Sequence, residues 1–289
     1  MQNNRLQQNL KWEQRQRLTL LEATVFWSGE VSTHALLQRF GISRVQASKD
    51  LTLYQSLCPD NIRYDKFLKR YVINPCFKAA FMQGSAGEFL QVLQMPRATG
   101  SGAVLALAEN LPAVEVMEPA FRQVRPEVLQ IVNQAIVGSK EVQVLYQSMS
   151  RPEPALHRLH PHALVYDGLR WHARAYSYTH QAFRDFVLVR MLSAELVGDG
   201  EQDATDDAAW QAWVCVKIGP HPGLSPAQRQ AVAFDYGMRD GLLQRETRGA
   251  LVPYLLKTLR IGPDDFQRRA EVQQIVLLNR DELQGWLGF

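Results

Sequence analysis

The chain changes its hydrophobic period partway along, and that change constrains its architecture more than any other feature. From Leu10 to Trp27 the apolar residues Leu18, Leu21 and Val25 recur at helical spacing. From Glu141 the period is two, with Val142, Val144, Tyr146 and Ser148 on one face and Gln143, Leu145 and Gln147 on the other. No single layer satisfies both patterns, so the expected fold class is α+β and multidomain. The length of 289 residues agrees, because ordinary domains run to roughly 100–200 residues.

The helical part reads as a winged helix-turn-helix. Ser28-Gly29-Glu30 ends the first helix, Ser32 caps a second from Thr33 to Phe40, and Gly41-Ile42-Ser43 supplies a tight turn. A third helix is expected from about Arg44 to Leu57, with Ala47, Leu51, Tyr54 and Leu57 or Cys58 inward. Headed by Ser43, its outward strip of Arg44, Val45, Gln46, Ser48 and Lys49 suits the major groove. Arg forks onto guanine, Gln onto adenine, Val touches a thymine methyl, and Ser or Lys holds phosphate. The alternating stretch Ile62 to Ile73 reads as a hairpin wing, with Lys66, Lys69 and Arg70 near its tip placed for sugar-phosphate or minor-groove contact. Residues 1–82 hold twelve Lys/Arg against six Asp/Glu, a net of +6 inside an overall +3. A basic terminal segment on a slightly acidic body fits a polyanion partner. The plainer alternative is a three-helix protein-binding module with an ordinary hairpin.

Residues 83–138 read as a helical connector. Ser85-Ala86-Gly87-Glu88 has capping-box form, Arg97 to Gly102 a loop's composition, and a helix is expected from Pro126 to Val137 with Gly138 beyond its end. Gly100-Ser101-Gly102 lacks the Gly-Lys-Ser/Thr of a phosphate loop. In the sheet that follows, Asp167-Gly168 is a two-residue hairpin signal setting Leu164 opposite Trp171, His162 opposite Ala173 and His160 opposite Ala175. A further strand from Phe183 to Arg190 sets Arg184, Phe186, Leu188 and Arg190 on one side. Arginines, aromatics and hydroxyls in one small sheet make a candidate anion pocket for a nucleotide or oligonucleotide, although Trp171 and Phe186 at strand spacing are more often core.

Five of the seven histidines lie within residues 157–180, yet that register turns His160 and His162 away from His172, with no Cys or acidic motif to complete a tetrahedral set. No metal and no cofactor is expected. Nothing like G-x-S-x-G surrounds Ser148, so a Ser148/His160 nucleophile has no support and no enzyme is expected. Cys58, Cys76 and Cys215 are far apart and read as buried thiols. Gly198 to Ala209 carries five acids in twelve residues and reads as a linker. Beyond it come a strand from Trp213 to Ile218, a helix capped by Ser225 with Pro226 first, a piece from Leu251 to Leu259, and a last strand from Ala270 to Leu277. The polar start and the lack of a long apolar run point to a cytoplasmic protein.

On these residues the chain resembles the WYL-domain transcriptional regulators. The resemblance is carried by Ser43-Arg44-Val45-Gln46-Ala47-Ser48-Lys49-Asp50-Leu51, Leu159-His160-Pro161-His162, Asp167-Gly168-Leu169-Arg170-Trp171-His172-Ala173-Arg174-Ala175-Tyr176 and Phe183-Arg184-Asp185-Phe186. The family's namesake triplet stands here as Trp171-His172-Ala173, similar to the repressors beside BREX and CBASS anti-phage defence operons. The resemblance implies a winged helix at 1–82, the connector, an Sm-like β-barrel WYL domain at 139–198, the acidic linker at 199–209 and a WCX-like dimerisation extension at 210–289. It gives the ligand-sensing role to Tyr146, Ser148, His160, Trp171, Arg174, Tyr176, Arg184 and Arg190. The function implied is a homodimeric repressor of a phage-defence operon, bound to a palindromic duplex operator and relieved by a nucleotide or nucleic-acid effector. Alternatives are an activator of a DNA-damage response and a nucleic-acid-processing enzyme.

Overall fold

A computed structural model describes residues 10–82, 84–94, 114–115 and 123–288. The chain divides into two compact units, 1–118 and 119–289. The loop expected at Arg97 to Gly102 lies outside the described residues.

The first unit is built on α1 (Trp12–Ser28), α2 (Thr33–Phe40) and α3 (Arg44–Leu57). Gly29 and Gly41 close α1 and α2 in the left-handed conformation, at φ 80° and 59°, where a Cβ is costly. Ser32 and Ser43 cap α2 and α3, accepting from the His34 and Gln46 amides. Leu18, Leu21 and Val25 from α1 meet Leu36 from α2 and Ala47, Leu51 and Tyr54 from α3 in one buried core. Ala47 is the small residue that lets α3 cross closely. A three-stranded sheet flanks the helices, in which β3 (Arg70–Ile73) lies between β1 (Glu30–Val31) and β2 (Ile62–Asp65). A fourth helix, α4 (Ala86–Gln94), docks on α1 where Phe89 stacks on Trp27 at 4.3 Å and 11°. The α4 part of the expected connector thus belongs to the same body as the wing.

The second unit opens with α5 (Pro126–Gly138), which runs through Gly138 and ends at a left-handed Ser139 rather than at the glycine. Its residues Val128, Val132 and Ala135 cover a five-stranded antiparallel sheet. The strands are β4 (Lys140–Tyr146), β5 (Ala155–Tyr166), β6 (Trp171–Ser177), β7 (Ala182–Val187) and β8 (Met191–Asp199), in the order β7-β6-β5-β4-β8. The edge strands β7 and β8 are not paired with each other, so the barrel expected from the resemblance is an open sheet among the described residues.

Two registers differ from expectation. The β5–β6 turn takes four residues, because the Asp167 carboxylate accepts from the Leu169 and Arg170 amides at 2.8 and 2.7 Å and Tyr166 pairs with Trp171. Pro161 has no N–H for the ladder, and a bulge follows it that leaves His162 unpaired and sets His160 opposite Tyr176. The strand expected through Arg190 stops at Val187, where a single 3-10 turn, Leu188–Arg190, takes over.

The acidic stretch after β8 is structured. It leads through α6 (Ala208–Gln211) into β9 (Trp213–Pro220), which pairs with β10 (Leu243–Arg248) and β11 (Ile275–Leu277). The last strand is thus shorter than the Ala270 to Leu277 expected. α7 (Pro226–Asp235), with a full Ser225/Gln228 capping box, and α8 (Val252–Thr258) pack over this small sheet. Of the three thiols only Cys58 is buried; Cys76 is exposed and Cys215 half-buried. Burial, with the Glu22 carboxylate nearby, pushes the Cys58 thiol up to about 11.

Candidate nucleic-acid interface and effector face

Helix α3 buries Ala47, Asp50, Leu51 and Tyr54, and this fixes what it shows to solvent. Arg44, Val45, Ser48 and Lys49 line a shallow concave strip with Thr52, Leu53 and Ser56. Val45 is 66% exposed, an aliphatic side chain left bare between cations. Gln46 is only half-buried, and its amide donates to Asp50 Oδ1 at 3.0 Å. Asp50 is itself held by Arg17 of α1, whose Nε donates to Oδ2 at 2.6 Å. Arg17 and Asp50 carry no base-reading signal in sequence, yet they orient the one side chain of the strip that can read adenine.

A second buried carboxylate holds the unit's far end. Glu22 accepts from the Ala80, Phe81 and Met82 amides at 2.7–3.1 Å and from the Tyr54 hydroxyl at 2.9 Å. Burial and then Glu22 push the Tyr54 hydroxyl well above its ordinary range, so it stays a donor. The wing carries exposed Lys66 and Lys69 as expected. Arg70, expected beside them, is engaged: its guanidinium pairs with Glu30 on β1 and donates to the Leu68 carbonyl.

In the second unit the eight candidate effector residues do not share one face. Ala173, Ala175 and Phe186 point to the α5 side, so Trp171 and Arg184 follow them by alternation. Tyr146 lies in that core, edge-on to Phe186, with its hydroxyl accepting from the Val187 amide at 3.3 Å. Trp171 is 48% exposed and tilts against Tyr166. Arg174 and Tyr176 take the opposite face, with His160 opposite Tyr176. Ser148 lies beyond β4 and meets the Ser150 hydroxyl at 3.2 Å. Arg190 lies in the turn after β7, its carbonyl accepting from Gln147.

Arg174 is the best-held of these residues. Its Nε and Nη2 donate to the two Asp207 oxygens at 2.7 and 2.8 Å, and Nη1 reaches Asp185 at 3.4 Å. Burial raises the Asp207 carboxyl, but the Arg174 and His162 contacts outweigh it and hold the group below its ordinary value. Burial keeps His162 low despite that carboxylate, so the imidazole is neutral near pH 7 and donates from Nε2 at 3.0 Å. Tyr254 of α8 donates to Asp185 at 2.9 Å, and its ring lies 5.2 Å from His172. The linker reading missed Asp207 because the contact spans 33 residues. Arg184, by contrast, is exposed, and its charge, with that of Arg151, depresses His180 after burial has done so. Among the described residues no group of His, Cys, Asp and Glu could hold a metal ion, and no helix is long and apolar enough to cross a membrane.

Three family models match in order. The BrxR transcriptional regulator winged helix-turn-helix domain covers residues 13–95, the WYL domain 127–196, and the BrxR C-terminal dimerization domain 213–283. The chain is 36% identical to the DNA-binding transcriptional repressor CapW of Pseudomonas aeruginosa, over 96% of this chain and 92% of the relative. It is 35% identical to CapW of Escherichia coli over 96% and 92%, and 34% identical to CapW of Stenotrophomonas maltophilia over 96% and 93%. A solved structure, proteasome accessory factor B/C of Arthrobacter aurescens, aligns over 95% of this chain and 48% of its own at 19% identity, with a TM-score of 0.27 too low for a shared fold to be read from it. Winged helix, WYL sheet and C-terminal domain, in that order and at that identity over nearly the whole chain, make this protein a member of the CapW family of BrxR-type WYL regulators.

Proposed function

We propose that this chain is a dimeric, sequence-specific DNA-binding repressor that holds its operator with α3 and the β2–β3 wing of each protomer. The observation that carries this reading is the bare strip of Arg44, Val45, Ser48 and Lys49 on a helix whose other face is locked into a core. Arg44 and Gln46 read base edges, Val45 meets a thymine methyl, and Ser43, Ser48, Lys49, Lys66 and Lys69 take phosphates. The relatives' role as repressors and the dimerization domain match support the same reading. A two-fold dimer asks for a palindromic operator with half-sites about one helical turn apart, because two linked half-sites add roughly their free energies. The site regulated is that of a phage-defence operon, on the likeness to BREX- and CBASS-associated repressors.

In this reading the effector is an anion, a nucleotide or nucleic-acid fragment, sensed at the WYL sheet by the exposed Arg184 and Trp171 on one face, while Tyr146 stays in the core beneath them. Arg174 already faces two carboxylates, so the exposed Arg184 makes first contact. Footprinting on the DNA upstream of the gene tests the whole. Wild type protects two symmetric half-sites, and Arg44→Ala or Gln46→Ala loses that protection while light scattering still gives a dimer. Sequence-specific protection retained by both variants sinks the reading. Arg184→Ala keeps the footprint and loses release by the effector.

A further inference from the structure

The tip of the wing carries a residue that the phosphate-contact reading does not use. Phe67 is 99% exposed and its neighbour Leu68 52%, between the exposed Lys66 and Lys69. Hairpin tips ordinarily carry Gly, Asn, Asp or Ser, which meet the turn's backbone demands and leave no apolar surface in water. Here the backbone demand is met by other residues. The Asp65 carboxylate accepts from the Phe67 and Leu68 amides, both at 2.9 Å, and Lys69 takes the left-handed conformation at φ 52°. The Arg70 guanidinium, paired with Glu30 and donating to the Leu68 carbonyl, ties the tip back to β1. The ring is therefore displayed on a braced turn, and burying it against a partner costs little ordering entropy.

We propose that Phe67 is an apolar wedge: it enters the minor groove of the operator and partly unstacks one base step, while Lys66 and Lys69 hold phosphates on either side. The inference rests on the DNA-binding reading above and adds to it a specificity that needs no base hydrogen bond. Apolar side chains wedged into the minor groove kink the duplex toward the major groove, which here lies against α3. The cost of opening a step is lowest at flexible pyrimidine–purine steps, so the wing would favour TA or CA/TG at its position. The two flanking lysines select a polyanion over an apolar protein surface.

The test uses the full-length protein and its footprinted duplex, with 2-aminopurine placed at successive steps under the wing and a dye pair at the ends. Wild type raises the fluorescence at one step and shortens the end-to-end distance. Phe67→Ala loses both signals and binds roughly tenfold more weakly, the scale expected for one buried phenyl ring. Phe67→Leu recovers much of each. Lys66→Ala and Lys69→Ala each lower the salt dependence of binding by about one counterion and keep the fluorescence rise. The wedge is overturned if wild type footprints the site without unstacking any step, or if Phe67→Ala matches wild type in both signals. It is equally overturned if Phe67→Ala changes the mass of the free protein, which would make the ring a contact between copies. A wild type that protects no duplex brings down the DNA-binding reading itself, so the two failures are separable.

Discussion

At the scale of single residues, Asp207 decides how the second unit holds together. Its carboxylate neutralises Arg174, accepts from His162 and caps α6 through the Trp210 amide at 3.1 Å. The side chains of Arg174 and Asp207 are 8% and 2% exposed, so removing Asp207 leaves a buried guanidinium with only the longer 3.4 Å contact to Asp185, and removing Arg174 leaves a buried carboxylate beside a neutral His162. Asp207→Ala should lose about 3–5 kcal/mol of unfolding free energy in urea. The double variant Arg174→Met/Asp207→Ala should recover a good part of that loss, and a loss equal to the sum of the two singles would show that the pair is not coupled. In the first unit, Glu22→Ala strands three amides and the Tyr54 hydroxyl, and a drop of about 3 kcal/mol is expected for that unit's transition. Neither carboxylate announced itself in sequence. Glu22 stands among helical residues like any exposed Glu, and Asp207 stands in a run of acids, while their long-range partners lie 32 to 60 and 33 to 45 residues away.

At the scale of elements, the winged helix was legible because its determinants are local. Caps, glycine turns and helical spacing all act within a few residues, and α2 and α3 run over the ranges those signals set. Gly41→Ala tests one of them: at φ 59° with open space around the position, the cost is backbone conformation alone, about 1–2 kcal/mol. The sheet was less legible. Strand existence and alternation follow from period two, but the register depended on Pro161 displacing the ladder and on Asp167 widening the turn. The widened turn moves the register by two and keeps the faces, whereas the bulge after Pro161 turns His162 off the Ala173 face and brings it to Asp207. Gly200 marks another close approach, because a Cβ there would lie 2.1 Å from the His160 ring. Gly200→Ala should therefore expel His160 from its buried position, visible as a large change in its NMR shifts and as lost stability. An unmoved His160 would mean that the strand end gives way instead.

At the scale of the whole molecule, acid acts on the second unit through its buried imidazoles. His157, His162 and His172 of the WYL sheet are each held below the ordinary imidazole value, with burial as the largest cause. The unfolded chain binds their protons near pH 6.5 and the folded sheet resists until lower pH. Stability from these groups is therefore fully present above about pH 6.5 and falls as pH drops through the window below it. Melting followed between pH 7.5 and 5.5 should show the transition of residues 119–289 moving to lower temperature. His172→Gln should flatten that dependence, and an unchanged slope would assign the acid sensitivity elsewhere.

The Asp207 carboxylate also limits how this protein can change over time. An ion pair on a surface can exchange its signs, but Arg at 207 has no oxygen to offer the Trp210 amide, and Asp at 174 is too short to reach across. Charge reversal of the pair, Arg174→Asp with Asp207→Arg, restores electroneutrality and still leaves the start of α6 frayed, so the double swap should refold no better than the worse of its parents. Drift at these two sites is confined to replacing both charges together with apolar groups, a route that keeps the sheet and gives up the short helix leading into β9.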